Sequence, residues 1–381
     1  MVPFCIRKKE GNITIMKVLN LLTAGNIGGI ECLCRDIGLN SNYENGFCFL
    51  FGKGDIYDDM VSQKLVTYDL TNYKRKISFG RLMQLRRIAK EYDIITVHHG
   101  DAFLKFYHWL LTKIMKKKFV TVAHSCCSNG PIPKGQRLKI GIIRKMFLWG
   151  LRASDKVVFV SKAGQKSYEN AFSFNKEKGC VIYNGIGMDK LCSGQEHLYK
   201  MGEDIKIMYI GRLIYAKGVH LLMKAFAQVH KEYPVSLHIV GDGAIRANLE
   251  RGADVLGVAD KVHFHGQQVD IVPYLQEASI FVYPSIVPEV FGLSIVEAMA
   301  FGIPCISNRV GGVPEIIIDG ENGFLTEKIS VDSFVDSLRK VIRLYQEEKL
   351  GDVSREAKAT ARRFSIQHTV SEYEKMYRGI L

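Results

Sequence analysis

No Asp-x-Asp pair occurs anywhere in the 381 residues. That removes the simplest device by which two carboxylates hold a divalent cation against a diphosphate. No uninterrupted apolar stretch approaches the ~20 residues that a spanning helix needs, so nothing reads as a transmembrane segment. Arg7-Lys8-Lys9 runs directly into Glu10-Gly11-Asn12 and not into an apolar run, so a cleaved secretory leader is not expected. The nine cysteines contain no C-x-x-C spacing. The adjacent pair Cys126-Cys127 reads as small-residue filler in a reducing compartment, and the expected location is the cytoplasm. Repeats of solenoid type are missing. So is a G-x-G-x-x-G loop followed by an acidic strand end, which argues against a nicotinamide dinucleotide site.

What is present fits two domains of ordinary globular composition, since 47% hydrophobic and 24% charged residues suit a soluble core and surface. The charge is uneven. Residues 1–190 hold 31 Lys and Arg against 15 Asp and Glu, a balance of +16, whereas 191–381 hold 21 against 24, a balance of −3. Such a basic half suits nucleic acid, an anionic membrane surface or anionic substrates. No docking motif for nucleic acid accompanies it, so that partner is not expected. Two stretches mix basic with large apolar side chains, as interfacial helices do. Lys105–Phe119 carries Phe106, Tyr107 and Trp109 with Lys113, Lys116, Lys117 and Lys118; Lys134–Arg152 carries Arg137, Lys139, Arg144 and Lys145 with Met146, Phe147, Leu148 and Trp149. For each alone, an amphipathic helix packed on a sheet is the plainer account. Together with the charge they make an anionic membrane surface a candidate partner, with the protein peripheral on its inner face.

Short apolar runs alternate with helical patterns along the whole chain. Strands are expected at Met16–Leu22, Phe47–Phe51, Ile94–Val97, Phe119–Ala123 and Val157–Val160, with helices around 79–91, 103–117 and 136–152. A second alternation runs through Lys206–Ile210, Leu237–Val240, Val262–His265, Ile280–Tyr283 and Pro304–Ser307. The fold class is therefore α/β, with two doubly wound parallel sheets of Rossmann type. The boundaries drawn are a loose leader over 1–14, a first domain over 15–190, a linker over 191–204, a second domain over 205–364 and a final helix within 365–381. Helices are expected over Val331–Glu347, Val353–Phe364 and Ile366–Arg378.

The most informative stretch is Tyr283 to Asn308, a strand, a loop and a helix bracketed by Gly292 and by Gly302 with Pro304. The amides of Gly292, Leu293 and Ser294 would open that helix, and the positive end of its dipole suits a phosphate. Glu289 lies in the loop and Glu297 inside the helix, placed to meet other parts of the same ligand. Arg212 and Lys217 follow the strand Lys206–Ile210 at the start of a helix, where cations oppose the dipole; an anion explains them better than stability does. In the first half, a glycine loop at Gly28-Gly29-Ile30-Glu31 follows the first strand, and His124 ends another. Strand ends are where such sheets bind ligands, although a satisfied loop histidine is an equal alternative. His98-His99 ends a third strand and competes as an acceptor-side group. No carboxylate or cysteine joins that pair at ligand spacing, and no metal site is assigned.

Pro288-Glu289-Val290-Phe291-Gly292-Leu293-Ser294-Ile295-Val296-Glu297-Ala298 resembles the Glu-x7-Glu signature of the retaining GT-B glycosyltransferases, the large family 4 with the group 1 transferases. The resemblance extends through Gly211-Arg212-Leu213 with Lys217-Gly218, through Val240-Gly241-Asp242-Gly243, and through Gly311-Gly312-Val313-Pro314-Glu315. It covers residues 205 to 327 closely and the first half more thinly. It implies two Rossmann-like domains facing a cleft, with the last helix crossing back to the first domain. It gives Arg212 and Lys217 the donor diphosphate, Glu297 the ribose hydroxyls, Glu289 the sugar near its 3- and 4-hydroxyls, and His124 the donor sugar from the other domain. Gly28 and Gly29, the turn glycines Gly211, Gly241 and Gly243, His265 near the base, and Phe291, Gly292, Leu293 and Ser294 complete the donor-binding set. Asn184-Gly185 at the domain junction is expected to be structural.

The implied activity is metal-independent, cofactor-free transfer of a sugar from a nucleotide donor, UDP favoured over GDP. The acceptor is a hydroxyl of a glycan or lipid-linked saccharide in cell-surface polysaccharide or lipopolysaccharide synthesis. Front-face attack assisted by the leaving phosphate is favoured over double displacement at Glu289. The alternatives are a non-catalytic nucleotide-sugar or glycan-binding protein and a nucleotide-sugar epimerase on the same fold. Intact Arg212, Lys217, Glu289, Glu297 and His124 speak against a decayed copy.

Overall fold

Five of the six residues of Lys17–Leu22 are buried, on both faces of the strand. A strand buried in that way is covered on both sides, and parallel sheets are built from such strands. The computed structural model describes residues 6–9, 12–99, 101–126, 137–172, 175–187 and 204–381. The chain divides into two units, Met1–Gly185 with Ile366–Leu381, and Ile186–Ser365.

The first unit begins with β1 (Ile6–Lys9) and β2 (Asn12–Ile15), which pair antiparallel from Ile6 opposite Ile15 to Lys9 opposite Asn12. This stretch was expected to be a loose leader; β-branched Ile13, Thr14 and Ile15 favour the extended backbone it adopts instead. The strands β3 (Lys17–Leu22), β4 (Glu44–Phe49), β5 (Val66–Asp69), β6 (Ile94–His99), β7 (Lys118–Ala123), β8 (Lys156–Phe159) and β9 (Gly179–Val181) form a parallel sheet in the order β5-β4-β3-β6-β7-β8-β9. The chain reverses its direction of travel across the sheet between β3 and β6, so the ends of those strands flank a topological switch point, where open α/β sheets take ligands. The final helix, Ile366–Arg378, belongs to this unit, as the resemblance implied. Its Tyr373 and Tyr377 are 2% exposed, Tyr377 Oη meets Thr96 Oγ1 at 2.8 Å, and Glu374 Oε1 accepts from the Asn42 amide at 3.2 Å. Removing either tyrosine ring would leave a cavity worth about 3–5 kcal/mol.

The second unit repeats the plan with β10 (Ile205–Ile210), β11 (Val235–Val240), β12 (Val262–Gly266), β13 (Ile280–Tyr283), β14 (Cys305–Asn308) and β15 (Phe324–Thr326). The order β12-β11-β10-β13-β14-β15 places its switch point between β10 and β13. The helix Val331–Gln346 shows why the faces close. Phe334, Val335, Leu338, Val341, Ile342 and Tyr345 recur at helical spacing and are buried against the sheet, and Ser330 caps the first turn by accepting from the Ser333 amide. The unit begins at Ile186, whose amide donates to Phe364 O at 2.9 Å, and the boundary thus falls five residues before the one drawn from sequence. Of the expected linker 191–204, all but Asp204 lies outside the described residues.

Candidate functional site

In the second unit, the strand ends at the switch point carry the residues that the sequence singled out. The loop after β10 holds Gly211 and Arg212 and leads through a 3-10 turn, Tyr215–Lys217, into the helix Val219–Val229. Its path is fixed by the neighbouring loop. Gly211 N donates to Val240 O, Leu213 N to Asp242 O and Ile245 N to Leu213 O. Gly241 has φ +137°, and a Cβ there would collide with Gly211 O; only glycine lets the two loops lie so close. Gly243 backs onto Leu213 in the same way, and Asp242 is turned outward to Arg246 at 3.0 Å.

The centre of the arrangement is an ion pair between two predicted residues. Lys217 Nζ donates to Glu289 Oε1 at 2.8 Å and to Tyr283 Oη at 2.8 Å, and the two charged side chains are 14% and 15% exposed. Ser285 Oγ donates to the same carboxylate oxygen at 2.5 Å. Burial first, then the charge of Glu289, raise the Tyr283 phenol well above its usual range, so it stays protonated. Glu289 is held by its backbone as well. Gly312 N donates to Glu289 O at 2.7 Å, and Gly311, at φ +54°, packs so tightly on the Glu289 main chain that a Cβ would overlap it. Asn308, buried at the end of β14, donates to Pro284 O and Ser285 O and props the same loop. Tyr283, Ser285 and Asn308 were not assigned roles from sequence, although each is polar and ends an otherwise apolar strand or follows one. That is the signal that could have found them.

Gly292 caps the helix Leu293–Ala300, in which Glu297 is half-buried. The amides of Ile295 and Val296 turn back to Gly292 O, while those of Leu293 and Ser294 have no acceptor among the described residues. Two donors at the positive end of a helix thus adjoin the loop that carries Glu289. Arg212 is exposed and makes no ion pair among the described residues; its carbonyl accepts from Tyr209 Oη at 2.9 Å, which fixes the turn. Phe291 departs from the donor-binding expectation. Its ring is 3% exposed and packs edge-on against Phe364 at 5.2 Å, so the side chain is core and only its main chain adjoins the helix start. His265 stacks on His238 at 5.2 Å, with Nε2 3.0 Å from His238 Nδ1, and burial lowers the pKa of both, His238 to about 4.

In the first unit, Gly28 is the N-cap of the helix Gly29–Asn40 and accepts from Cys32 N. His124 follows β7, half-buried, and burial lowers its pKa to about 4. His98 and His99, read as candidates for contact with an acceptor, are 2% and 5% exposed. They point to opposite faces of β6 and are engaged inside the fold. His98 Nδ1 lies 3.0 Å from His124 Nε2, and His99 Nε2 lies 3.1 Å from His108 Nδ1. Asn184 is buried, in keeping with a structural role.

The basic helices divide similarly. Tyr107 and Phe147 are core. Lys117 donates to Lys90 O and Tyr92 O, and Lys118 pairs with Asp155 at 3.1 Å. Lys113, Lys116, Arg144 and Lys145 are exposed, along with Ile114, Ile142 and Trp149, and Lys113 Nζ sits 4.0 Å from the Trp149 ring centroid. Lys134 lies outside the described residues, as do the side chains of Arg137 and Lys139. No helix among the described residues is long and apolar enough to cross a membrane.

Comparison with known proteins agrees with this geometry. Residues 196–360 match the family described as Glycosyl transferases group 1, and residues 50–190 match Glycosyltransferase Family 4. An uncharacterized glycosyltransferase of Methanocaldococcus jannaschii is 30% identical over 333 residues, 85% of this chain and 87% of that one. The crystal structure of Anabaena HepE in complex with UDP and glucose superposes with a TM-score of 0.81 at 23% identity, covering 95% of this chain and 99% of that one. The apo form of the lipopolysaccharide outer core galactosyltransferase WaaB superposes with a TM-score of 0.70 at 21% identity, covering 96% and 100%.

Proposed function

The chain belongs to glycosyltransferase family 4, with the two Rossmann-like domains of the GT-B fold, and from that premise we propose a retaining transfer of sugar from a UDP-sugar to a hydroxyl of a glycan or lipid-linked saccharide. The observation that carries the proposal is the half-buried Lys217–Glu289 pair beside the open amides of Leu293 and Ser294. A lysine already desolvated, two amides on a helix dipole and the exposed cation of Arg212 together suit a diphosphate without a metal ion. When the diphosphate takes Lys217, the carboxylate of Glu289 is released toward the hydroxyls of the sugar attached to it. Glu297 is assigned the ribose hydroxyls, and His124 a hydroxyl of the donor sugar.

In the reaction, the acceptor oxygen bonds to the anomeric carbon while the bond from that carbon to the diphosphate oxygen breaks. The leaving oxygen keeps the electron pair, and Arg212, Lys217 and the helix amides stabilise the charge that develops there. The acceptor proton passes to the departing phosphate on the same face, which preserves the anomeric configuration. HepE with UDP supports a UDP donor, and WaaB supports a role in lipopolysaccharide or related surface polysaccharide. The exposed Lys113, Lys116, Arg144, Lys145, Ile142 and Trp149 would hold the first unit on the cytoplasmic face of an anionic membrane, near a lipid-linked acceptor.

A panel of nucleotide sugars in a thermal-shift assay tests the donor, since a ligand at 100 times its Kd stabilises by about 2.7 kcal/mol. A UDP-sugar is expected to raise the midpoint most. No shift with any UDP- or GDP-sugar would refute the reading, and an epimer formed from donor alone would replace transferase by epimerase.

A further inference from the structure

A row of polar side chains crosses one face of the first sheet. Asn45 on β4 meets Asn20 on β3, Asn20 meets His98 on β6, and His98 meets His124 just beyond β7. Asn20 is 3% exposed and His98 2%, depths at which polar atoms need partners. Here the partners also decide where each proton sits. Asn45 Nδ2 donates to Tyr43 O at 3.4 Å and Asn20 Nδ2 to Gly46 O at 3.5 Å; a main-chain carbonyl only accepts, so both amide nitrogens must face that way. Asn20 Nδ2 also donates to Asn45 Oδ1 at 3.0 Å, which leaves Asn20 Oδ1 facing His98 Nε2 at 3.1 Å. His98 Nε2 therefore carries the hydrogen. A neutral imidazole has one N–H, so His98 Nδ1 is a lone pair, and the hydrogen in the 3.0 Å contact belongs to His124 Nε2. Cys34 Sγ lies 3.6 and 3.5 Å from the two nitrogens of His98, and this near-equal spacing puts it on neither lone-pair axis.

We propose that Asn20 is a positioning residue that, acting through His98, holds His124 in its Nε2–H tautomer, so that His124 Nδ1 accepts a hydrogen bond from a ligand hydroxyl and cannot donate one. His124 is half-buried, and its Nδ1 has no partner among the described residues. The neighbouring histidine chain makes the contrast. His108 Nε2 faces Ser154 Oγ at 3.5 Å, whose hydrogen goes to Gly150 O, and the row ends at His99 Nδ1, which is buried with no partner among the described residues. That chain is closed and structural, whereas the chain from Asn20 opens at a strand end. Burial keeps His98 well below its usual pKa and His124 at about 4, so no second proton occupies Nδ1 near neutral pH. The identity of the hydroxyl as a sugar's rests on the proposed function; the tautomer does not.

The full chain labelled with 15N in histidine, at pH 7.5, reads the tautomer through two- and three-bond nitrogen–proton correlations. His124 is assigned by the signals missing in His124→Gln. The expected spectrum shows Nδ1 of His124 unprotonated and Nε2 protonated. A protonated Nδ1, or an averaged pair of shifts, overturns the proposal. In Asn20→Leu the acceptor is gone, and His124 is expected to move to averaged shifts with kcat/KM for the donor down about tenfold, one neutral hydrogen bond. Asn20→Asp, which keeps an acceptor oxygen, is expected to retain the Nε2–H form. An unchanged His124 in folded Asn20→Leu overturns the role of Asn20, and if that variant does not fold, the wild-type and Asn20→Asp spectra decide. A wild type that transfers sugar while carrying Nδ1–H sinks the relay and leaves the transferase reading standing. One that binds no nucleotide sugar sinks that reading whatever the tautomer.

Discussion

Changing Glu289 to Gln should tighten the binding of free nucleoside diphosphate while slowing sugar transfer. The reason lies in the resting state. Lys217 Nζ is held 2.8 Å from Glu289 Oε1, so an incoming diphosphate must draw the lysine away from a carboxylate that is itself 15% exposed. Glutamine removes both that competition and the negative charge facing the phosphate, a gain of about 1 kcal/mol or roughly fivefold in Kd. Lys217→Met does the opposite. It deletes a charged donor to the anion, costing about 2–3 kcal/mol, or roughly 30- to 150-fold in Kd. It also leaves Glu289 without its cationic partner, held by the Ser285 and Tyr283 hydroxyls alone, costing about 1–3 kcal/mol of stability. The double variant should be more stable than Lys217→Met alone, because no charge is left unpaired. Titration calorimetry with UDP, and equilibrium denaturation of the four proteins, supplies both cycles. If Glu289→Gln weakens UDP as much as Lys217→Met does, the two residues do not compete and the reasoning fails.

Three further outcomes follow from other parts of the structure. Gly311→Ala should destabilise the second unit by about 1–3 kcal/mol and depress transfer, since its Cβ overlaps the Glu289 main chain at a left-handed φ; an unchanged denaturation midpoint would count against that packing. Acid should erode the first unit. His98, His99, His108 and His124 are all held below the usual histidine value, His124 at about 4 and His108 at about 3. The unfolded chain binds protons that the fold refuses, so stability is full above about pH 6.5 and falls as pH drops toward 3, and a flat denaturation midpoint between pH 7 and 4.5 would contradict it. Changing Lys113, Lys116, Arg144 and Lys145 to Gln should release the protein from anionic vesicles, as added salt should, because each basic residue near the surface contributes about 1 kcal/mol. Vesicle binding indifferent to both would assign the basic helices to another partner.

The helices Leu293–Ala300 and Ile366–Arg378 and the strand Ile280–Tyr283 were readable to the residue, because glycine, proline or a sharp change of periodicity brackets each. The helix Asp55–Ser62 and the strand Val66–Asp69 went unread. The helix is short and acidic and buries only Ile56 and Met60; the strand is an edge with no fully buried residue, so neither shows a strong hydrophobic period. The antiparallel strands Ile6–Lys9 and Asn12–Ile15 were missed because the charged run Arg7-Lys8-Lys9-Glu10 shows no alternation of apolar and polar residues. In the site, residue types and strand ends marked Lys217, Glu289 and the helix start. Their meeting was invisible, because Lys217 and Glu289 are separated by 72 positions and joined only by the order of β10 and β13. The same holds for Asn20 and His98, on strands brought together by the reversal between β3 and β6. The anchoring of Lys117 and Lys118 depends on carbonyls and a carboxylate from other elements, which a charge count along the chain cannot see.

The configuration of the glycoside formed from an α-linked UDP-sugar, read by NMR of the product with EDTA present throughout, tests the central claim most directly. A product with the donor's own α configuration, formed at full rate without divalent cation, is what Lys217, Arg212 and the helix amides predict. A β-linked product, or transfer that stops until magnesium or manganese is restored, would contradict it.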